Sequence, residues 1–294
     1  MNLPTPNLLA PAGPIAAAQK TILIDSVAIM LAIVVPTIVA TLAFAWWFRA
    51  SNKRATHRPT WAFSGAIEIV VWFIPLLTIT LLGGVTWIGS HRLDPARPIE
   101  SEVPPLRLQV VSLDWKWLFV YPDQQLATVN DMVVPAGTPL QLSLTSASVL
   151  NTFFVPQLGS MIYTMNGMNT PLWLQADRPG TFYGQSGHFS GDGFSDMRFR
   201  VRALPPEEFA AWVRSVKASG SATLDAARYG DLAKQSSPIP PTAFAGVEPD
   251  LFDRIVVQAI GPAPGPPADR GGAGGQPAAT ETAKPRAPFD LQRH

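Results

Sequence analysis

The sequence predicts a two-helix transmembrane hairpin carrying an all-β sandwich or barrel, followed by C-terminal helices and a disordered tail. Three observations predict it. Two stretches, Ser26 to Phe48 and Ile69 to Ser90, run for 23 and 22 residues without an ionisable side chain. Between residues 104 and 202, short runs rich in Val, Leu and aromatics are split by Pro and Gly. Beyond residue 260 there are six Gly, seven Pro and almost no large apolar residue. Composition points the same way. Hydrophobic residues make up 47% and charged residues 15%, against roughly 25% charged in soluble domains.

The hairpin, residues 22–90, comes first. About 20 apolar residues at a rise of 1.5 Å cross a hydrocarbon core of roughly 30 Å, so each uncharged stretch is long enough to span. Pro36 and Pro75 lie inside them, and spanning helices tolerate proline where neighbours satisfy the freed carbonyl. Trp46, Trp47 and Trp87 fall near the ends, where amphipathic rings anchor at the interface. The first stretch is longer than the 7–15 residues of a signal-peptide core and ends in Trp46-Trp47-Phe48-Arg49, not a small-residue cleavage site, so it reads as a retained span. The loop 49–62 carries Arg49, Lys53, Arg54 and Arg58, which places it in the cytoplasm. Residues 1–21 then form an outer tail, and both termini and the β domain face outward. Asp25 reads as an ordinary interfacial acid at the helix start.

The β domain spans residues 104–202. Leu106–Ser112, Trp117–Tyr121, Leu140–Thr145 and Arg198–Val201 have the composition of short strands, and their spacing suggests an antiparallel sandwich or barrel. Residues 203–260 read as a helical extension. Pro205-Pro206-Glu207-Glu208 opens a first helix to about Ala218, with prolines at the start and acids in the first turn. Further helices are expected near Ala222–Ala233 and Pro249–Ile260. Residues 261–294 should be disordered.

Several function classes fall away. A net charge of +1 leaves no excess of cations for phosphates, so nucleic acid is not a partner. No cysteine is present, which removes disulfides, thiolate catalysis, iron–sulfur clusters and thiolate copper. Only four histidines are present, His57, His91, His188 and His294, so an all-protein metal site would be hard to build. Met161, Met165, Met168 and Met197 could hint at a thioether copper site, but core filling is the expected role.

The order of motifs then becomes specific. Asp114-Trp-Lys-Trp117 is followed by Ser148-Val-Leu-Asn-Thr-Phe-Phe-Val-Pro-Gln-Leu-Gly159 and by Pro179-Gly-Thr-Phe-Tyr-Gly-Gln-Ser186. Together with the hairpin, from about residue 15 to 260, this resembles subunit 2 of the haem–copper respiratory oxidases. The resemblance implies a cupredoxin-like β domain on the outer face of a bacterial inner membrane. In the cytochrome c oxidase branch that domain holds a two-copper centre through two His, two Cys, one Met and a backbone carbonyl. Carried onto this chain, the His positions are Asn151 and Phe194, the Cys positions Ser186 and Ser190, the carbonyl position His188 and the Met position Met197. Four of the five side-chain ligands are lost. Bridging copper needs soft thiolates. A serine hydroxyl is a hard, weak donor and phenylalanine cannot ligate. No metal is expected in this chain. Asp114-Trp-Lys-Trp117, Ala127-Thr-Val-Asn130 and Gly191-Asp-Gly-Phe194 resemble the cytochrome bo-type ubiquinol oxidase branch instead.

The resemblance implies a subunit of a proton-pumping complex that oxidises ubiquinol and reduces oxygen to water. No redox centre is expected in this chain; haems and one copper are expected in subunit 1. Further small membrane subunits and lipid are the other expected partners, and cytochrome c is not one. Glu68, at the cytoplasmic start of the second span, is the one direct mechanistic candidate. A carboxylate at membrane depth is a functional candidate by default, and the resemblance implies that it admits protons to a channel in subunit 1. The bland reading of Glu68 is a first-turn acid favoured by the helix dipole. Trp115 and Trp117, at i and i+2, should share one strand face and pack structurally against subunit 1 or the membrane interface. A membrane-tethered cupredoxin-like protein that carries copper or assembles an oxidase, and an orphan oxidase subunit, are the competing readings.

Overall fold

The structure, a computed structural model, describes residues 7–56, 58–159, 161–236 and 239–260. The expected disorder of residues 261–294, and His57 and His294, lie outside them.

Helix α1 runs over Pro14–Trp47 and α2 over Gly65–Arg92. Proline in the first turn of α1 costs no hydrogen bond, because that N–H has no intrahelical partner. At 1.5 Å per residue the 34 residues of α1 span about 51 Å, well beyond a hydrocarbon core. Both helices are long and apolar enough to cross a membrane, and their most apolar stretches are unburied within the chain. The expected tail through residue 21 is corrected: Ala16-Ala-Ala-Gln-Lys20 is already helical. These are good helix formers, and Ala16 is buried. Asp25 therefore lies about three turns into α1, not at its start. The helices approach closely near Gly89, where an added Cβ would lie 2.8 Å from Ile22 Cδ1.

Among the described residues, ten strands build the β domain: β1 (Leu106–Leu113), β2 (Lys116–Tyr121), β3 (Leu126–Val129), β4 (Asp131–Pro135), β5 (Pro139–Ser146), β6 (Asn151–Phe154), β7 (Ile162–Thr164), β8 (Thr170–Gln175), β9 (Gly180–Ser186) and β10 (Arg198–Leu204). The extension adds α3 (Pro206–Ala218), β11 (Thr223–Leu224), α4 (Ala226–Ala233), β12 (Thr242–Phe244), β13 (Gly246–Val247) and α5 (Leu251–Val256). One sheet has the order β12-β3-β2-β1-β5-β8, and the facing sheet β4-β10-β9-β6-β7. The sheets are mixed, not purely antiparallel: β1 runs parallel to β5, and β4 parallel to β10. The chain crosses to the second sheet at β4 and returns beside β1, and such a crossover makes neighbours parallel.

The residues 203–260 are not purely helical. Strand β12 pairs with β3 and extends the first sheet. Helices α4 and α5 cover that sheet's outer face, where Tyr229, Leu251, Phe252 and Ile255 pack on Val111, Leu118, Val120 and Val129. Every residue of β2 is consequently buried. This explains a continuous Trp-Leu-Phe-Val-Tyr run where a one-sided sheet would alternate. Between the sheets, Trp117, Phe119, Phe153 and Phe199 form an aromatic core with centroids 5.1–5.5 Å apart.

The domain is sewn to the hairpin. The Ala12 N–H donates to Gln157 O at 2.8 Å, Asp177 N–H to Ala12 O at 2.8 Å, and Ala16 N–H to Leu158 O at 3.2 Å. Gly13 sits where a Cβ would lie 2.0 Å from Gln175 O. Past α2, Trp173 N–H donates to Pro95 O at 2.9 Å.

Candidate functional site

Two places carry the residues singled out by sequence: the loops at one end of the sandwich, and the far end of the hairpin.

At the sandwich end, five of the six ligand-position residues come together. Asn151 opens β6 and Ser186 closes β9; the two strands are paired. The Ser186 hydroxyl lies 3.2 Å from Asn151 Oδ1 and 3.3 Å from the His188 carbonyl. Ser186 N–H donates to Met197 O at 3.1 Å, and the Ser190 hydroxyl reaches Met197 Sδ at 3.9 Å. Gly187 N–H donates to Thr152 Oγ1 at 2.7 Å. Asn151, Ser186 and Met197 are buried. The sixth, Phe194, starts a short 3-10 turn over Phe194–Asp196; its carbonyl accepts from Met197 N–H at 3.1 Å, and its ring lies edge-on to Phe189 at 5.7 Å.

This set does not fit a copper pair. It offers a neutral amide, two hydroxyls, a carbonyl and one thioether, and hard oxygen donors do not hold a bridged soft-metal centre. The His188 ring points away, edge-on to Tyr163 at 6.1 Å. Among the described residues no three His, Cys, Asp or Glu side chains cluster. What the arrangement does is close the loop with hydrogen bonds. A net gain of roughly 0.5–1.5 kcal/mol per bond makes several such bonds sufficient to hold one short loop.

Trp115 completes that closure, and its placement corrects the expected shared strand face. It occupies the turn between β1 and β2 with φ 61°. Its Nε1–H donates to Ser190 O at 3.1 Å, and its ring packs so tightly on Gly193 that an added Cβ would lie 2.2 Å from it. Trp117 is wholly buried in the aromatic core instead. The left-handed turn rotates the two side chains apart, which i, i+2 spacing could not reveal. Asp114, beside Trp115, accepts from the Ser148 hydroxyl and ties the turn to the loop before β6. The methionines also differ from expectation. Met197 is a core residue, but Met161 and Met168 are 56% and 50% exposed, because they lie on the loops flanking the short edge strand β7.

Sequence reasoning passed over Lys116. It is almost fully buried, and its ammonium donates to Lys234 O at 2.6 Å and Ser236 Oγ at 2.8 Å. Desolvation lowers its pKa, and Asp114 partly offsets that. A lysine inside an apolar run was the available signal.

At the hairpin's other end, Glu68 lies in the first turn of α2, and its side chain faces outward. It lines an open groove with Phe63, Trp72, Phe73 and Leu76. Among the described residues its carboxylate has no hydrogen bond or ion pair.

Residues 107–204 match the family described as cytochrome c oxidase subunit II, periplasmic domain, and residues 217–263 match the COX aromatic rich motif. The chain is 48% identical over 251 residues to cytochrome bo(3) ubiquinol oxidase subunit 2 of Pseudomonas aeruginosa, covering 85% of this chain and 76% of that one. It is 47% identical over 254 residues to ubiquinol oxidase subunit 2 of Acetobacter aceti, covering 86% and 82%. A crystal structure of the periplasmic domain of subunit II of cytochrome oxidase from Bradyrhizobium japonicum aligns with 99% of its length and 42% of this chain, at 25% identity and a TM-score of 0.39.

Proposed function

Since the chain belongs to the ubiquinol oxidase subunit 2 family of the haem–copper oxidases, we propose that it is the metal-free second subunit of a proton-pumping complex that passes electrons from ubiquinol to oxygen. The observation that carries the metal-free role is the hydrogen-bonded loop of Asn151, Ser186, His188, Ser190 and Met197. Those positions would hold copper in the cytochrome c-oxidising branch. Here they are hydrogen-bonded to one another and to neighbouring loop residues, so this domain offers no electron acceptor to cytochrome c. Subunit 1, with its haems and copper, supplies the electron transfer and oxygen chemistry.

The β domain lies on the periplasmic side of the bacterial inner membrane, with both termini beside it and the loop 49–62 in the cytoplasm. Two features support that orientation. The loop carries four cations and no acid. The start of α1 is hydrogen-bonded to the β domain, which keeps the two on one side. Subunit 1 is the main partner, with further small membrane subunits and lipid around the hairpin.

Glu68 is the proton-entrance residue. It sits at the cytoplasmic end of α2, outward-facing and uncompensated, on a groove that a partner helix can cover. A carboxylate in that position takes a proton from cytoplasmic water and hands it to groups of subunit 1.

The test is purification through a tag on this chain, followed by oxygen uptake with reduced quinol and, separately, with reduced cytochrome c, alongside copper analysis. Uptake with quinol alone and one copper per complex is the expected result. Efficient uptake with cytochrome c would overturn the metal-free assignment. A preparation without haem or subunit 1 would turn the reading to a tethered copper-binding or assembly protein, or to an orphan subunit.

A further inference from the structure

The cytoplasmic end of the hairpin encloses a concave space of about 1100 Å³ between the end of α1, the loop after it and the start of α2. Its walls are of two kinds. Phe44, Trp47 and Trp61 supply aromatic faces, each 46–63% exposed. Arg49, Arg54 and Arg58 supply charge. The loop 49–62 has no acidic residue to neutralise them. Arg49 is committed: its Nε–H donates to Ser51 Oγ at 3.0 Å, and its guanidinium stacks on Trp46 at 5.0 Å. Arg54 and Arg58 are not. Their guanidinium groups make no hydrogen bond or ion pair among the described residues.

The loop is shaped, not splayed. Asn52 Nδ2–H donates to Trp47 O at 2.6 Å, and Asn52 Oδ1 accepts from Arg54 N–H at 3.1 Å. One side chain therefore caps the carbonyl end of α1 and sets the backbone from which Arg54 projects. Topology alone requires cations in this loop. It does not require that they line an aromatic-walled hollow. The hollow slightly exceeds the 300–1,000 Å³ typical of small-molecule sites, and it lies at the ends of both apolar helices, which on the spanning reading is where headgroups meet acyl chains.

We propose that this hollow is a binding site for one anionic phospholipid of the cytoplasmic leaflet, its phosphate held by Arg54 and Arg58 and its upper acyl chains laid on Phe44, Trp47 and Trp61. Charge complementarity decides the occupant. A fork of guanidinium donors matches phosphate oxygens in pairs, and basic pockets between membrane helices on this side take anionic headgroups. A zwitterionic lipid brings its own cation into a site that already has two unpaired ones. The inference rests on the membrane-spanning reading of the hairpin and is independent of the copper-free and Glu68 assignments.

The test uses the intact complex, extracted in detergent and delipidated, then exchanged against cardiolipin or phosphatidylglycerol and, in parallel, phosphatidylcholine. Bound lipid is counted by mass spectrometry, with subunit 1 and haem content verifying assembly in each variant. Wild type should retain one anionic lipid that Arg54→Gln/Arg58→Gln loses, with affinity falling about fivefold per neutralised cation. Arg54→Lys/Arg58→Lys should restore much of it. Lys53→Gln removes the same charge from the same loop but lies outside the hollow, and should retain the lipid. A photo-crosslinker at Trp61 should capture lipid. Equal retention by the double glutamine variant, equal loss from Lys53→Gln, no preference over phosphatidylcholine, or crosslinking of Trp61 to a partner polypeptide would each overturn the proposal.

Discussion

At the scale of single residues, the chain separates side chains that do chemistry from side chains that hold shape. The proposed proton-entrance role would put Glu68 in the first group. Replacing it by glutamine keeps its size and removes its proton, so Glu68→Gln should lower quinol oxidase turnover several-fold in a fully assembled complex. Unchanged turnover at saturating quinol would leave only the favourable first-turn interaction with the helix dipole, worth about 0.3–1 kcal/mol. Trp115 and Trp117 belong to the second group and should behave differently from each other. Trp117→Ala empties the centre of the aromatic core and should cost about 3–5 kcal/mol. Trp115→Ala removes one hydrogen bond and a ring contact from a surface loop. It should cost no more than about 1–3 kcal/mol, with proteolytic cleavage appearing between residues 187 and 194. Thermal unfolding and limited proteolysis of the two variants separate these outcomes.

Among the elements, the C-terminal extension has the least obvious job. It gives the first sheet an edge strand and a second buried face. Without it the apolar run Trp117–Tyr121 of β2 would leave one face uncovered, and an exposed apolar patch of that kind invites association. Lys116 is the clasp for this arrangement, since its ammonium binds the segment that leaves α4. Lys116→Met keeps the apolar stem and deletes the charged donor. Hydrogen bonds to charged groups contribute about 1.5–3 kcal/mol, but desolvation of the ammonium offsets part of that. The expected loss is about 1–2 kcal/mol, seen as faster amide exchange across residues 226–244 with the sandwich core unchanged. Equal exchange in variant and wild type would show that the apolar contacts of Tyr229, Leu251 and Phe252 hold the extension without the lysine.

For the whole molecule, two predictions concern how its parts hold together. Gly13 lies in the seam between α1 and the β domain. Gly13→Ala forces apart the strand end at Gln175 and should expose residues 157–159 to exchange while both helices stay folded. The second prediction concerns pH. Burial raises the pKa of Tyr121 and Tyr229 above the ordinary value of 10.0. The unfolded chain therefore releases those protons first. Stability is full below about pH 10 and falls as pH rises beyond it, by roughly 1.4 kcal/mol per pH unit for each tyrosine. Tyr229→Phe should flatten that alkaline slope. Tyr121→Phe is a poorer probe, because the Tyr121 hydroxyl also accepts the Val133 N–H at 2.8 Å and donates to Val133 O at 3.0 Å.

Much of this was legible in the residues alone. Uncharged runs longer than 20 residues are long and apolar enough to cross a membrane, and that is read from composition and length alone. Ligand chemistry is equally local: serine, asparagine and phenylalanine cannot replace thiolate and imidazole whatever surrounds them. The order of motifs was enough to identify the family. Tertiary structure decided the rest. Only the left-handed turn at Trp115 separates two tryptophans that strand spacing places together. Only the packing of α4 and α5 tells that β2 is covered on both faces. Only the fold brings Ser186 and Asn151, 35 residues apart, to 3.2 Å, and brings Ala12 against Gln157. Such contacts depend on where the chain returns after a crossover. That path is selected by the packing of the whole chain, which no local stretch of sequence encodes.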